Sequence, residues 1–204
     1  MYEHINVEQN SPEWFSSRAG KWTASLFAKC VSPTGKLSKS AAKVNDKLIM
    51  ELITGNREPY YQSEAMARGI EIEPEALQWV NDNTEYNFEP VGFFDSGKGY
   101  GCSPDAVDFK KETGIEIKCP IEKTHLKYLK DNKIPTKYYS QVQGQLMVSG
   151  FKQWLFVSYF PEGEQLQVMV ERDEPFIELL RSELERHVNL MEEGVNEVTD
   201  ALQG

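Results

Sequence analysis

Apolar and polar positions follow one period over the first third of this chain and another over its middle. From Ser11 the spacing is helical. Ser11-Pro12-Glu13 reads as a helix start, with Ser as cap and Pro in the first turn. A second helix is expected to open at Thr23 and run through Leu26 and Phe27. Ser38 to Leu52 places Val44, Leu48, Ile49 and Leu52 on one face, and Glu64 to Asn81 does the same with Ala65, Ile72, Ala76, Leu77 and Val80, with Pro74 as the point where a kink could form. The period then shortens. Tyr86–Phe94, Gly99–Phe109 and Ile115–Lys118 are short, β-rich and separated by Gly, Asp and Lys turns, which predicts a meander of strands. Two helices follow, near Thr124–Leu129 and Thr136–Val148. A strand pair, Gln153–Phe160 and Gln165–Val170, is expected around Pro161-Glu162-Gly163, and an amphipathic helix runs from Ile177 to about Leu202. This order predicts an α/β fold with a central mixed β-sheet flanked by α-helices, not a regular doubly wound series.

Composition narrows the class. The 204 residues suffice for one well-cored domain, taken as 1–204. Hydrophobic residues make up 40% and charged residues 26%, the balance of a soluble globular protein. No apolar run approaches the roughly 20 residues of a membrane helix. The N-terminus has no basic segment followed by an apolar one, so a cytoplasmic location is expected and no membrane partner. Cys30, Cys102 and Cys119 are odd in number and form no CxxC pair, which speaks against a disulfide framework or zinc knuckle. Net charge is −10, concentrated between Glu162 and Glu197, so any nucleic-acid contact must rest on a local basic groove.

The candidate chemistry sits in the β-rich middle. Asp105 lies in or near one strand, and Glu116 and Lys118, two apart on the next, share a face. A hairpin through Lys110–Gly114 brings the three side chains together. Hard carboxylate oxygens suit Mg²⁺, which keeps several waters and takes phosphate oxygens in its remaining positions. Such an ion acidifies water and offsets charge building on a phosphoryl group, while Lys118 could orient or deprotonate the attacking water or neutralise the transition state. A carboxylate from the helix around Glu71–Glu75 could join the site, and Asp95 on the preceding strand is a further candidate. The bland alternative is a solvated edge strand of alternating Glu and Lys. On the residues alone the nuclease reading stands slightly ahead.

Gly101-Cys102-Ser103-Pro104-Asp105, Gly114-Ile115-Glu116-Ile117-Lys118-Cys119-Pro120 and Gln141-Val142-Gln143 together resemble the phage lambda exonuclease, or YqaJ-type viral recombinase, family. That family lies within the PD-(D/E)xK nucleases, whose fold is restriction-endonuclease-like. Trp14 to Gly20, Thr23-Ala24-Ser25, Gly69 to Glu73 and Val170 to Asp173 extend the resemblance over most of the chain in the right order. It implies metal ligation by Asp105, Glu116 and the carbonyl of Ile117, with Glu73 as the helix carboxylate in preference to Glu71 or Glu75. It also implies that Lys118 acts on the attacking water and that Gln141 hydrogen-bonds nearby. Arg18, Ser25 and Ser103 would hold the 5′-phosphate of a DNA end. Further implied are Mg²⁺ (with Mn²⁺ as substitute), 5′-to-3′ digestion of one strand of linear duplex DNA to mononucleotides, and 3′ overhangs for recombination. The implied partners are DNA ends, a single-strand annealing protein and two further copies in a ring-shaped homotrimer, in a bacterial cell and of phage or prophage origin. One departure is a segment between Lys118 and Gln141 shorter than in the type member, which bears on a DNA-contact loop. The alternatives are a PD-(D/E)xK endonuclease or repair nuclease without strict end dependence, and a non-catalytic DNA-binding protein, which an intact carboxylate–lysine set disfavours.

Overall fold

The computed structural model describes residues 2–55 and 63–203. Two mixed sheets organise it. The smaller has the order β1 (Glu3–Ile5), β4 (Phe93–Asp95), β5 (Tyr100–Cys102), β2 (Trp22–Thr23). The larger has the order β3 (Glu89–Pro90), β6 (Ala106–Asp108), β7 (Thr113–Lys118), β8 (Gln153–Ser158), β9 (Leu166–Glu171). The mixed α/β architecture expected from the element order is therefore present. The expected meander is not one unit, because each of its first two segments breaks and gives a strand to each sheet. Glycine permits the close approach: a Cβ on Gly101 would lie 2.3 Å from the Phe93 ring and 2.5 Å from the carbonyl of Phe94.

The larger sheet is covered on both faces. Along β8, Trp154 and Phe156 enter one apolar cluster while Leu155 and Val157 enter another. Helix α3 (Glu64–Asn83) lays Ala76 and Val80 against Ile115 and Ile117 on the second face. The first face is covered by α5 (Tyr139–Ser149), whose residues 142 to 149 are all buried. Gly144 lets α5 approach closely, since a Cβ there would lie 2.0 Å from the Phe27 ring. β7 is thus the middle strand of five and not the solvated edge of the alternative reading.

The helical forecasts hold in the main. Ser11 caps α1 (Pro12–Arg18), its hydroxyl accepting from the Trp14 amide at 3.2 Å. α2 (Ala41–Thr54), α4 (Glu122–Asp131) and α6 (Glu174–Gln203) lie where periodicity puts them, and α3 continues through Pro74. The element expected from Thr23 differs: Thr23 ends β2, and Ala24–Lys29 is a 3₁₀ helix. Parallel pairing of Trp22 with Tyr100 and Thr23 with Gly101 holds those two residues extended, leaving room only for the tighter turn before Cys30.

Candidate active site

The β6–β7 hairpin creates the site. Its register pairs Ala106 with Ile115 and Val107 with Gly114, so the next position places Asp105 opposite Glu116, just beyond the ladder. Residues opposite each other on antiparallel strands share a face. The Asp105 carboxylate accepts from the Ile117 amide at 2.6 Å, which fixes its side chain against the strand end. Glu116 is almost wholly buried, at 1% exposure. One of its oxygens accepts from Gln141 Nε2 at 2.6 Å and also pairs with Lys118 Nζ. The other accepts from Gln145 Nε2, again at 2.6 Å.

Helix α5 can aim two glutamines at one carboxylate because it is itself clamped. Gln143 Nε2 donates to the Glu171 carbonyl, and its Oε1 accepts from the Asp173 amide. Arg172 donates to the carbonyls of Leu146 and Phe151 at the helix end. The Val170–Asp173 segment therefore clamps α5, the helix that carries Gln141 and Gln145. Gln145 was not singled out by the sequence. Its place four residues after Gln141 is the signal that could have found it, since i and i+4 share a helix face.

Charge within the cluster is unbalanced. Loss of hydration, then repulsion from Glu116 and Glu73, push the Asp105 carboxyl well above its ordinary range. Glu73 is raised by burial against the pull of Lys118, with Glu116 adding to the rise. The structure thus brings Glu73 into the electrostatic reach of the cluster from the opposite helical layer. Glu75 instead accepts from the Tyr159 hydroxyl at 2.8 Å, and Glu71 is exposed. Although loss of hydration works against its charge, Lys118 has its pKa raised by Glu116 and Asp105 and stays an ammonium. It also lies 5.6 Å from the centre of the Tyr138 ring, a neighbour that the sequence did not mark.

Asp95 does not join this group. Its carboxylate pairs with Lys21 and accepts from the Gly97 amide at 2.9 Å, closing the β4–β5 turn. It lies on the smaller sheet, so the expectation that it belongs with Asp105 and Glu116 is corrected.

Among the described residues, no three or more His, Cys, Asp or Glu side chains form a ready-made metal cage. The donor set still fits a hard divalent cation. Two carboxylates meet at the peptide of Ile117, a third repels them from across the sheet end, and every candidate donor is oxygen. That is the donor chemistry of Mg²⁺, which usually takes one or two carboxylates and keeps several waters.

Arg18, Ser25 and Ser103 converge with Gln141 on one cavity of about 80 Å³, also lined by Gln9, Trp14, Thr23 and Ala24. Arg18 is buried, with its guanidinium 3.6 Å from the centre of the Trp14 ring. The Trp14 indole donates to Ser103 Oγ at 3.0 Å, and Ser25 Oγ lies 3.3 Å from Thr23 Oγ1. Two neighbouring N-terminal elements thus meet residues from about 80 and 120 positions further along the chain to build a small polar hollow. Gln141 belongs both to this hollow and to the carboxylate cluster.

The profile of the YqaJ-like viral recombinase domain matches residues 13–152, which contain Arg18, Ser25, Ser103, the carboxylates and Lys118. The chain belongs to the YqaJ-like viral recombinase family. The alkaline exonuclease LHK-Exo from Laribacter hongkongensis is 29% identical, with a TM-score of 0.85 over 95% of this chain and 98% of that one. LHK-Exo in complex with dAMP gives 30% and 0.84 over the same shares. A phage-related exonuclease from Haemophilus somnus 129PT, at 14% identity and a TM-score of 0.65 over 87% of this chain and 96% of that one, shares the fold. No curated protein sequence matches significantly. By family and fold this member of the YqaJ-like group is an exonuclease-type enzyme. None of its described helices is long and apolar enough to cross a membrane.

Proposed function

We propose that the chain is a Mg²⁺-dependent 5′-to-3′ exonuclease that digests one strand of linear duplex DNA to mononucleotides, leaving 3′ overhangs for recombination by strand annealing. The observation that carries the reading is the sharing of Gln141. One residue lines the Arg18–Ser25–Ser103 hollow and donates to Glu116, so an end phosphate and a reacting phosphodiester would be held a fixed distance apart. That link favours an end-dependent enzyme over an endonuclease. Support also comes from LHK-Exo, an alkaline exonuclease whose structure holds the mononucleotide dAMP.

In this reading Arg18, Ser25 and Ser103 bind the terminal 5′-phosphate, with Arg18 supplying charge and the hydroxyls supplying hydrogen bonds. Asp105, Glu116 and the Ile117 carbonyl, with Glu73 nearby, would hold the metal. A divalent cation there acidifies water and offsets charge developing on the phosphoryl group. Gln141 and Gln145 orient Glu116 through its two oxygens. Lys118, held as an ammonium, donates a hydrogen bond to the attacking water or a phosphoryl oxygen. Mn²⁺ would substitute for Mg²⁺. The family resemblance adds a ring-shaped homotrimer around the DNA and a single-strand annealing partner to the proposal.

The test is a timed digestion of linear duplexes bearing 5′-phosphate or 5′-hydroxyl ends, with Mg²⁺, Mn²⁺ or EDTA, beside covalently closed circles. Metal-dependent release of mononucleotides, faster from phosphorylated ends and absent from circles, is expected. Cutting of the circles would replace this reading with the endonuclease one.

A further inference from the structure

The 5′-phosphate hollow is not a dead end. Trp14, Arg18, Thr23 and Ser25 form part of its wall and also part of the wall of a neighbouring groove of about 490 Å³. The first volume suits one phosphate; the second falls in the range of small-molecule sites. Lys43 and Lys47 project into the groove from α2, four residues apart and so on one helix face, and Lys29 enters from the end of the 3₁₀ helix. Among the described lining residues, Arg18, Lys29, Lys43 and Lys47 bring positive charge and Glu51, which accepts from the Gly20 amide at 3.0 Å, brings negative charge. In a chain of net charge −10 this is a local reversal of sign. Fields focused in a concave site of one sign attract a counter-charged ligand. The half-buried Phe15, another wall residue, offers a ring on which a base can stack.

The order of features suggests what enters. The carboxylates come first, then Gln141 and Ser103, then Arg18 and Ser25, then the lysines. A strand whose scissile phosphodiester lies at Asp105 and Glu116, with its next phosphate 5′-ward in the hollow, would have any further nucleotide in the groove. We infer that the groove receives a short unpaired 5′ extension of the strand being digested, an inference that rests on the exonuclease reading above. A single-stranded nucleotide carries the phosphate and the base face that lysines and an aromatic ring recognise.

The consequence is a change in product length. With an extended end, the phosphate in the hollow is an internal diester, and cleavage still occurs one nucleotide beyond it. Water adds to phosphorus, the P–O3′ bond breaks, the 3′-oxygen leaves with a proton on the released piece, and the new 5′-phosphate stays on the duplex. A one-nucleotide extension therefore leaves as a dinucleotide.

The experiment uses 5′-labelled duplexes in single turnover, one blunt and one with a single unpaired 5′ nucleotide. The wild-type protein should release labelled mononucleotide from the first and labelled dinucleotide from the second. Lys29→Ala/Lys43→Ala should keep the blunt-end rate within about twofold, while dinucleotide release falls on the order of tenfold and its salt dependence becomes shallower. Val44→Trp, which fills the groove without removing charge, should give the same selectivity, provided circular dichroism shows the fold retained. An extended end left uncut, or trimmed to labelled mononucleotide, overturns the inference. So does equal slowing of both substrates, or of neither, in the lysine variant. Failure of the wild-type protein to digest the blunt, 5′-phosphorylated duplex would instead remove the exonuclease reading beneath it.

Discussion

Two buried polar groups sit side by side at the C-terminal ends of β7 and β8, where Lys118 pairs in register with Ser158. Around Ser158 each side-chain polar atom has a hydrogen-bond partner. His125 Nδ1 lies 2.8 Å from the Ser158 hydroxyl, and its Nε2 lies 2.7 Å from the Glu164 carbonyl. Beside Lys118 the arrangement is different. Asp105, Glu116 and Glu73 repel one another, and one ammonium answers them. Gln145 Oε1 is buried without a hydrogen-bond partner. The first group is satisfied within the protein and the second holds an excess of negative charge, a pattern common at functional sites. A histidine in a pocket is a familiar candidate for chemistry. Here the histidine has partners on both ring nitrogens, and the mutually repelling carboxylates form the candidate site.

The contrast breaks most directly at Lys118. Lys118→Ala should reduce turnover on linear duplex by about 10²–10⁴, with circular dichroism unchanged; undiminished digestion would remove Lys118 from the mechanism. Next in size is Gln145→Leu, which strips one oxygen of Glu116 of its donor. Turnover should fall about tenfold while KM stays within about twofold, because a hydrogen bond to a charged group is worth roughly 1.5–3 kcal/mol. A rise in KM alone would mean that Gln145 serves DNA binding instead.

His125→Leu should do the reverse, lowering stability by about 1–3 kcal/mol in urea titration and leaving turnover unchanged well below the melting temperature. Loss of turnover in the folded variant would erase the distinction between the two groups. Asp105→Asn sharpens it further. The metal-free melting temperature should rise by a few degrees as repulsion is relieved, and the Mg²⁺-dependent increase expected of the wild-type protein should vanish along with activity.

The smallest effect concerns Tyr159, which follows Ser158. Burial, then its hydrogen bond to Glu75, push the Tyr159 phenol up to about 12. Because the folded value exceeds the unfolded one near 10, its stabilisation is complete below about pH 10 and is lost as pH rises through about 12. Tyr159→Phe should flatten that part of the melting profile relative to the wild-type protein. Parallel profiles would show that the phenol ionises equally in both states.

The site was partly legible in the chain because some of it is local. Glu116 and Lys118 share a face through strand period alone, and a four-residue connection from Asp108 to Thr113 brings Asp105 across from them. Ser11-Pro12 likewise announces α1 through capping chemistry that needs only neighbouring residues. Gln145 was missed because its spacing of four from Gln141 marks a shared helix face but not the Glu116 carboxylate that this face meets. Asp95 was misassigned for a related reason: strand adjacency in sequence does not say which sheet a strand joins, and the break at Val91-Gly92 sends it to the smaller one.

Sequence by itself therefore determined the chemical set, two carboxylates and a lysine on a β-hairpin, and the ordered motifs that mark the family. Tertiary structure alone decided the rest. It set Glu73 within electrostatic reach of Asp105 and gave Glu75 to Tyr159, and it clamped α5 so that two glutamines meet Glu116. It also joined Arg18, Ser25 and Ser103 in one hollow from three separate elements. The division follows from range. Backbone period and capping act over a few residues, whereas burial, repulsion and cavity shape depend on packing between segments far apart in the chain.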